Sequence, residues 1–344
     1  MNFEVYSKFE SFVPYVRASF GQGSSPFMLL IDSGSPLLWV RSVQLPGCGP
    51  PPFQKPEDLT ALKTEEFAYG SGVVQGAVYE EALSLGEQAV SFAGLEVMDT
   101  SIEQGQGCAD GILGMDMEST NSRQIFDFQE LPHVFSVLLR RVEEFMGSWQ
   151  NAGSVVLGGV KQEMYRGGLH CVPTLSLQDR VLAPKDDLNP QGEPLNNTAW
   201  WQLAVEGTRV GAAEFPSGQA IVDTGTSALI VPRAVKEYID NILDGSGCDT
   251  NSLMQLPSIV FSLPGGIEVS VDPEQYVVPS PDGGCSCYVQ ALHDAPSQDF
   301  YVLGVPFFWK YFVAFDFAKQ QVALGLSSLS LRGEELPPTC TEQL

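Results

Sequence analysis

Histidine is scarce in this chain: 344 residues contain only His133, His170 and His293. The seven cysteines, Cys48, Cys108, Cys171, Cys248, Cys285, Cys287 and Cys340, show no spacing that would build a zinc site with so few histidines. No metal and no other cofactor is therefore expected. Basic residues are also few, with Lys+Arg 18 against Asp+Glu 42 and a formal net charge of −24. A chain so acidic repels phosphate backbones, which excludes nucleic acid as an expected partner. No apolar run reaches about 18 residues, so no transmembrane segment is expected. The opening residues, Met1-Asn2-Phe3-Glu4-Val5-Tyr6, lack the basic-then-apolar pattern of a signal peptide. Either a targeting sequence has been removed or lost, or the protein stays in the cytosol.

What is plentiful is glycine (34) and proline (24), with 44% hydrophobic and only 17% charged residues. That favours a turn-rich β protein, and the length favours two lobes. Strand-like runs stand at 27–31, 154–157, 258–261 and 311–315, separated by glycine- and proline-bearing turns. Helices are expected at 131–145, from apolar residues at helical spacing, and at 232–243. Residues 177–198 are polar and rich in Pro, Asn and Asp, and read as an exposed loop near the junction of the halves. A second irregular stretch covers 45–56 with five prolines, and the tail after Leu326 reads as polar and loosely ordered. The expected organisation is an N-terminal lobe over 1–176, a loop over 177–199 and a C-terminal lobe over 200–344. The cysteines suit disulfides in an oxidising compartment, and their odd number leaves at least one thiol free or paired with another chain. The sequon Asn196-Asn197-Thr198 agrees with secretion but is a common pattern.

The chain repeats itself weakly. Leu30-Ile31-Asp32-Ser33-Gly34-Ser35 is echoed by Ile221-Val222-Asp223-Thr224-Gly225-Thr226-Ser227. One copy alone reads as a strand ending in an Asx-type turn. A second element keeps register with the first: Ile112-Leu113-Gly114 begins 80 residues after Asp32 (112 − 32), and Val302-Leu303-Gly304 begins 79 after Asp223 (302 − 223). Each half thus brings an aspartate turn and an apolar-apolar-Gly strand. Two aspartates suit peptide hydrolysis by direct attack of water, where one carboxylate takes a proton and one carboxylic acid gives one. Close carboxyls cannot both ionise cheaply, so the pair holds one proton, the pattern for which aspartic proteases are the standing example. Gly34 and Gly225 let the backbones approach, and the hydroxyls of Ser35 and Thr226 are expected to orient the outer carboxylate oxygens.

These motifs resemble the pepsin-like aspartic peptidases over about residues 14 to 326. Asp32-Ser33-Gly34-Ser35 with Leu38-Trp39-Val40 is similar to the family's first active-site motif, and Asp223-Thr224-Gly225-Thr226-Ser227 to its second. Phe67-Ala68-Tyr69-Gly70-Ser71-Gly72 resembles the flap hairpin. Asp110-Gly111-Ile112-Leu113-Gly114 and Tyr301-Val302-Leu303-Gly304 resemble the strands that complete the site. Val155-Val156-Leu157-Gly158-Gly159 and Trp200-Trp201-Gln202-Leu203 are similar to segments flanking the lobe junction.

The resemblance implies an all-β, bilobal fold with a few short helices and an endopeptidase with an acid optimum. Its substrates would be proteins or peptides with hydrophobic residues flanking the scissile bond. It implies that Asp32 and Asp223 hold the water, that Tyr69 on the flap points its hydroxyl toward Trp39, and that Gly70 and Ser71 contact bound peptide. Leu30, Tyr69 and Ile112 would line an apolar pocket, and Gly225, Thr226 and Ser227 would complete the substrate-binding set with Gly34, Ser35 and Trp39. A monomer, secreted or housed in an acidic vacuolar or lysosomal lumen, is implied. So is a disulfide from Cys248 to Cys285 or Cys287, with Cys48 reaching Cys108 as a further option. Departures are Ser33 where Thr is usual, Ala109 where a bulky aromatic is common and a roomier pocket would follow, a long 177–198 insertion, and no visible inhibitory propeptide. The rival is a peptidase-like inhibitor or receptor on the same fold, which would show a broken Asp or flap motif; both are intact here.

Overall fold

The computed structural model describes the chain apart from residues 9–11, 21–24, 43, 45–59, 70–71, 87–89, 104–109, 118, 143–148, 177, 181–199, 244–249, 254, 280–283, 292–298, 331–332, 334 and 341–344. Strands dominate, with short helices between them, as the glycine- and proline-rich composition requires. A 13-stranded sheet runs through the first half of the chain and takes in two strands from its far end, Tyr311–Asp316 and Gln321–Ser327. Residues 202–303 build a five-stranded sheet, a four-stranded sheet and a two-stranded ribbon.

The internal repeat is visible as topology. Strand Phe27–Asp32 lies parallel to Gly111–Gly114, which is antiparallel to Leu38–Arg41. Strand Gly218–Val222 lies parallel to Phe300–Leu303, which is antiparallel to Leu229–Ile230. The two glycines ending the apolar-apolar-Gly strands have the same reason to exist. A Cβ on Gly114 would lie 2.5 Å from the Ser35 carbonyl oxygen and 2.6 Å from that of Leu37. On Gly304 it would lie 2.4 Å from the Thr226 oxygen and 2.1 Å from the Ala228 oxygen. Each strand therefore runs directly against the chain leaving its aspartate turn, and no larger residue fits.

Two expectations are corrected. Residues 134–139 form a strand, not part of a helix over 131–145. All six of its residues are buried between Gln150–Leu157 and Tyr311–Asp316. A strand covered on both faces is apolar throughout, so its sequence carries no period that separates it from a helix. The tail after Leu326 is also tied down. Leu336 is buried, the Arg166 guanidinium donates to the Ser330 carbonyl (2.9 Å), and the amide of Cys171 donates to Thr339 Oγ1 (3.1 Å). A disulfide joins Cys171 to Cys340 across 169 residues. The tail thus covers the outermost strand of the large sheet, Tyr165–Pro173, whose free edge would otherwise invite pairing with another chain. Of the two alternatives left open for the other disulfide, Cys285 is the bonded residue and Cys287 is free. Cys48, Cys108 and Cys248 lie outside the described residues.

The expected helix at 232–243 is present as Arg233–Leu243, burying Val235 and Ile239. The runs at 27–31, 154–157, 258–261 and 311–315 fall in strands. No helix among the described residues is long and apolar enough to cross a membrane.

Candidate active site

Asp32 ends its strand and Asp223 follows Val222 directly, so both aspartates sit where a strand turns sharply. Each turn is closed the same way. The Gly34 amide donates to Asp32 Oδ1 (2.9 Å), and the Gly225 amide donates to Asp223 Oδ1 (2.8 Å). Thr226 adds its hydroxyl to Asp223 Oδ2 at 2.5 Å, the outer-oxygen contact anticipated for it. Ser35 is fully buried beside Asp32; its amide meets the Asp32 carbonyl at 3.4 Å and its own carbonyl takes the Asp116 amide at 3.0 Å.

The turns face one another. A Cβ built on Gly34 would lie 2.8 Å from Asp223 Oδ1, and one on Gly225 would lie 2.4 Å from Asp32 Oδ1. Each glycine is the floor beneath the opposite carboxyl. The two side chains are hydrogen-bonded to each other, and Asp32 is only 6% exposed. Burial holds its carboxyl well above the ordinary carboxylate range. The Asp223 charge and the hydrogen bond to Asp223 push the same way, the Gly34 amide opposes them, and Asp116 adds a small further push upward.

Two features were not foreseen. The first is a reciprocal exchange beneath the pair. The Ser33 amide donates to Thr224 Oγ1 (3.0 Å), and that hydroxyl donates to the Ile31 carbonyl (2.6 Å). In return the Thr224 amide donates to Ser33 Oγ (2.9 Å), which donates to the Val222 carbonyl (3.0 Å). Four buried bonds thus lock the two strand ends together. The hydroxy residue shared by both motif copies was the available signal. The second is Asp116, a third carboxyl, fully buried just beyond Gly114. An acidic residue following a buried apolar strand was the signal there.

The remaining expected residues are placed as follows. Trp39 is buried with Phe67, Val74, Val78, Met98 and Ile112, and half-buried Leu30 packs on that cluster. Leu30 and Ile112 are direct partners across the parallel pairing. Ser227 is half-buried at the end of the second turn. Tyr69 is the last residue of the strand Lys63–Tyr69, opposite Gly72, which is the place of a hairpin tip. Gly70, Ser71 and Ala109 lie outside the described residues.

The model of the eukaryotic aspartyl protease family matches residues 15–327. The chain belongs to that family. Among its relatives, pepsin A-5 of Mus musculus is 27% identical over 332 residues, covering 89% of this chain and 79% of the mouse protein. Cathepsin E of Aquarana catesbeiana is 28% identical over 337 residues, covering 89% of this chain and 77% of its own. An aspartic proteinase from Irpex lacteus superposes with a TM-score of 0.75 over 96% of this chain and 98% of that one, at 18% identity, which bears on the fold alone. As a member of this family the protein is an aspartic endopeptidase of all-β, pepsin-like fold.

Proposed function

We propose that Asp32 and Asp223 are the catalytic pair, and that together they activate a water molecule for attack on a peptide carbonyl. The observation that carries this reading is the apposition of the two carboxyls, each resting on the other turn's glycine. Asp32 holds the shared proton, because burial and the facing charge favour its neutral form. Asp223, more exposed, is oriented by the Gly225 amide and the Thr226 hydroxyl, and one carboxyl of the pair is ionised at a time. The carboxylate accepts a proton from water as oxygen attacks the carbonyl carbon, and the acid protonates the carbonyl oxygen. The resulting diol collapses with proton transfer to the leaving nitrogen, and the C–N bond breaks.

A pair sharing one proton works until that proton is lost, so activity is greatest at acid pH and falls toward neutrality. Half-buried Leu30, two residues before Asp32 and packed on the buried cluster of Trp39 and Ile112, supports a preference for hydrophobic residues flanking the scissile bond. Tyr69, Gly70 and Ser71 close over the peptide, with Gly34, Gly225, Thr226 and Ser227 lining the floor and buried Ser35 supporting the first turn from behind. The Cys171–Cys340 disulfide supports a site of action outside the cytosol, secreted or in an acidic lumen. The enzyme acts as a monomer of two lobes divided near residues 177–199.

The test is kcat against pH for wild type, Asp32→Asn and Asp223→Asn on a denatured protein substrate. Activity peaks below about pH 6, and each variant loses turnover, since neither amide replaces acid or base. Wild-type turnover in either variant rejects that aspartate, and a profile rising to pH 8 rejects the shared proton. A wild type that binds peptide without cutting it favours an inhibitor or receptor.

A further inference from the structure

The two halves differ in the segments that lead into their aspartate strands. The amide of the residue before each aspartate, Ile31 or Val222, donates to the carbonyl of Pro14 (2.9 Å) or Trp201 (3.0 Å). Pro14 therefore corresponds to Trp201, and Val13 to Trp200. Val13 and Pro14 have no side-chain donor, whereas the tryptophans have one each, and both reach into the first half. Trp201 Nε1 donates to the Met115 carbonyl (2.9 Å) and Trp200 Nε1 to the Gly34 carbonyl (3.1 Å). Trp201 is fully buried against Phe135, Phe315 and Phe317, which is a packing role.

Trp200 is different. It is half-exposed, and its ring rests on the small cluster that includes Ile221, Ile230, Phe300 and Val302 beside the second aspartate strand. Its one described side-chain polar contact is to Gly34, the residue that donates to Asp32 Oδ1 and lies beneath the Asp223 carboxyl. An acceptor so placed fixes the rotation of the peptide leaving the first turn. We propose that Trp200 is a positioning residue for the aspartate pair: its indole N–H clamps the Gly34 peptide from the opposite half and so holds Asp32 at its working distance from Asp223. This rests on the reading of the two aspartates as the catalytic pair.

Loss of the clamp lets the first turn relax and weakens the Gly34 amide bond to Asp32. That bond favours the ionised carboxyl, so weakening it raises the proton affinity of Asp32; the other carboxyls acting on Asp32, Asp223 and Asp116, are unchanged. The test compares Trp200→Phe, which keeps a ring and loses the donor, with Trp200→His, which keeps a ring N–H. We expect Trp200→Phe to lower kcat about tenfold with KM changed less than about threefold, the pattern of lost transition-state positioning. Its neutral pH limb moves to higher pH, and Trp200→His recovers most of both effects. A kcat for Trp200→Phe within twofold of wild type overturns the proposal, as does a histidine variant as slow as the phenylalanine one. If Trp200→Phe melts far below wild type, β-(3-benzothienyl)alanine at position 200 replaces the N–H by sulfur in the same shape, and the same kcat criterion applies. Asp32→Asn is run alongside. If it retains turnover the underlying reading fails, and if it is dead while Trp200→Phe is normal only the Trp200 assignment fails.

Discussion

Adding one methyl group at either turn glycine tests the geometry of the pair, because each glycine faces the opposite carboxyl. In Gly225→Ala the new Cβ would sit 2.4 Å from Asp32 Oδ1 and 2.5 Å from its Cγ. Ordinary contact begins at 3.4 Å, so something must move by about 1.0 Å (3.4 − 2.4). In Gly34→Ala the nearest atom is Asp223 Oδ1 at 2.8 Å, and about 0.6 Å suffices. The two carboxyls differ in their freedom to retreat. Both are held by a turn amide, but Asp32 is 6% exposed, whereas Asp223 is half-buried and has open space to move into. Neither glycine has the positive φ that would add backbone strain, so the collision alone decides. A displacement near 1 Å at a reacting group costs about a hundredfold in rate. Gly225→Ala should therefore lower kcat about 100-fold and Gly34→Ala about tenfold. The stability cost of either should stay within the roughly 1–3 kcal/mol typical of an overpacked site. The assay is kcat on a fluorogenic peptide at acid pH, with thermal melting beside it. A Gly225→Ala enzyme within threefold of wild type, or a Gly34→Ala enzyme slower than Gly225→Ala, would refute the facing-turn geometry.

Thr224→Val keeps the volume of a buried side chain but leaves the Ile31 carbonyl and Ser33 amide without its hydroxyl; a loss of about 2–4 kcal/mol in urea unfolding is expected, and a loss below about 0.5 kcal/mol would show the exchange to be dispensable. Asp32→Asn tests linkage: the folded carboxyl has a raised pKa, so wild type bears no ionisation cost below the ordinary value of 3.8 and a growing one as pH climbs toward the raised value. The variant's melting advantage should thus be small at pH 3 and larger at pH 7, and an advantage that does not vary with pH would contradict the burial argument.

Much of the site was legible because its chemistry is local. Asp32, Gly34 and Ser35 stand within four residues, as do Asp223, Gly225 and Thr226, and the duplication gives the two turns one arrangement. The paired strands were legible because the spacing from aspartate to apolar-apolar-Gly recurs. What escaped the sequence is what depends on partners far along the chain. Ser33 and Thr224 exchange bonds across 191 residues, and Trp200 reaches Gly34 across 166. The burial of Asp116 follows from the same packing. The strand at 134–139 was hidden by being apolar on both faces. The anchored tail was hidden by its polar composition, in which buried Leu336 and disulfide-bonded Cys340 bind it down together with the hydrogen bonds at Ser330 and Thr339.

The bonds that join the two aspartate turns share one chemical property. Ser33, Thr224, Trp200 and Trp201 meet their partners through hydroxyls, indoles and backbone groups, none of which gains or loses a proton at acid pH. Two described ion pairs stay within one half each. Arg41 with Asp110 lies within the first half, and Lys310 with Asp272 lies within the second. A chain carrying 42 acidic residues changes its charge steeply as pH falls through the carboxylate range. Ion pairs spanning the seam would weaken in that range and let the carboxyls drift apart. With these neutral bonds between the turns, the backbones that carry Asp32 and Asp223 are held by groups that do not titrate in the carboxylate range.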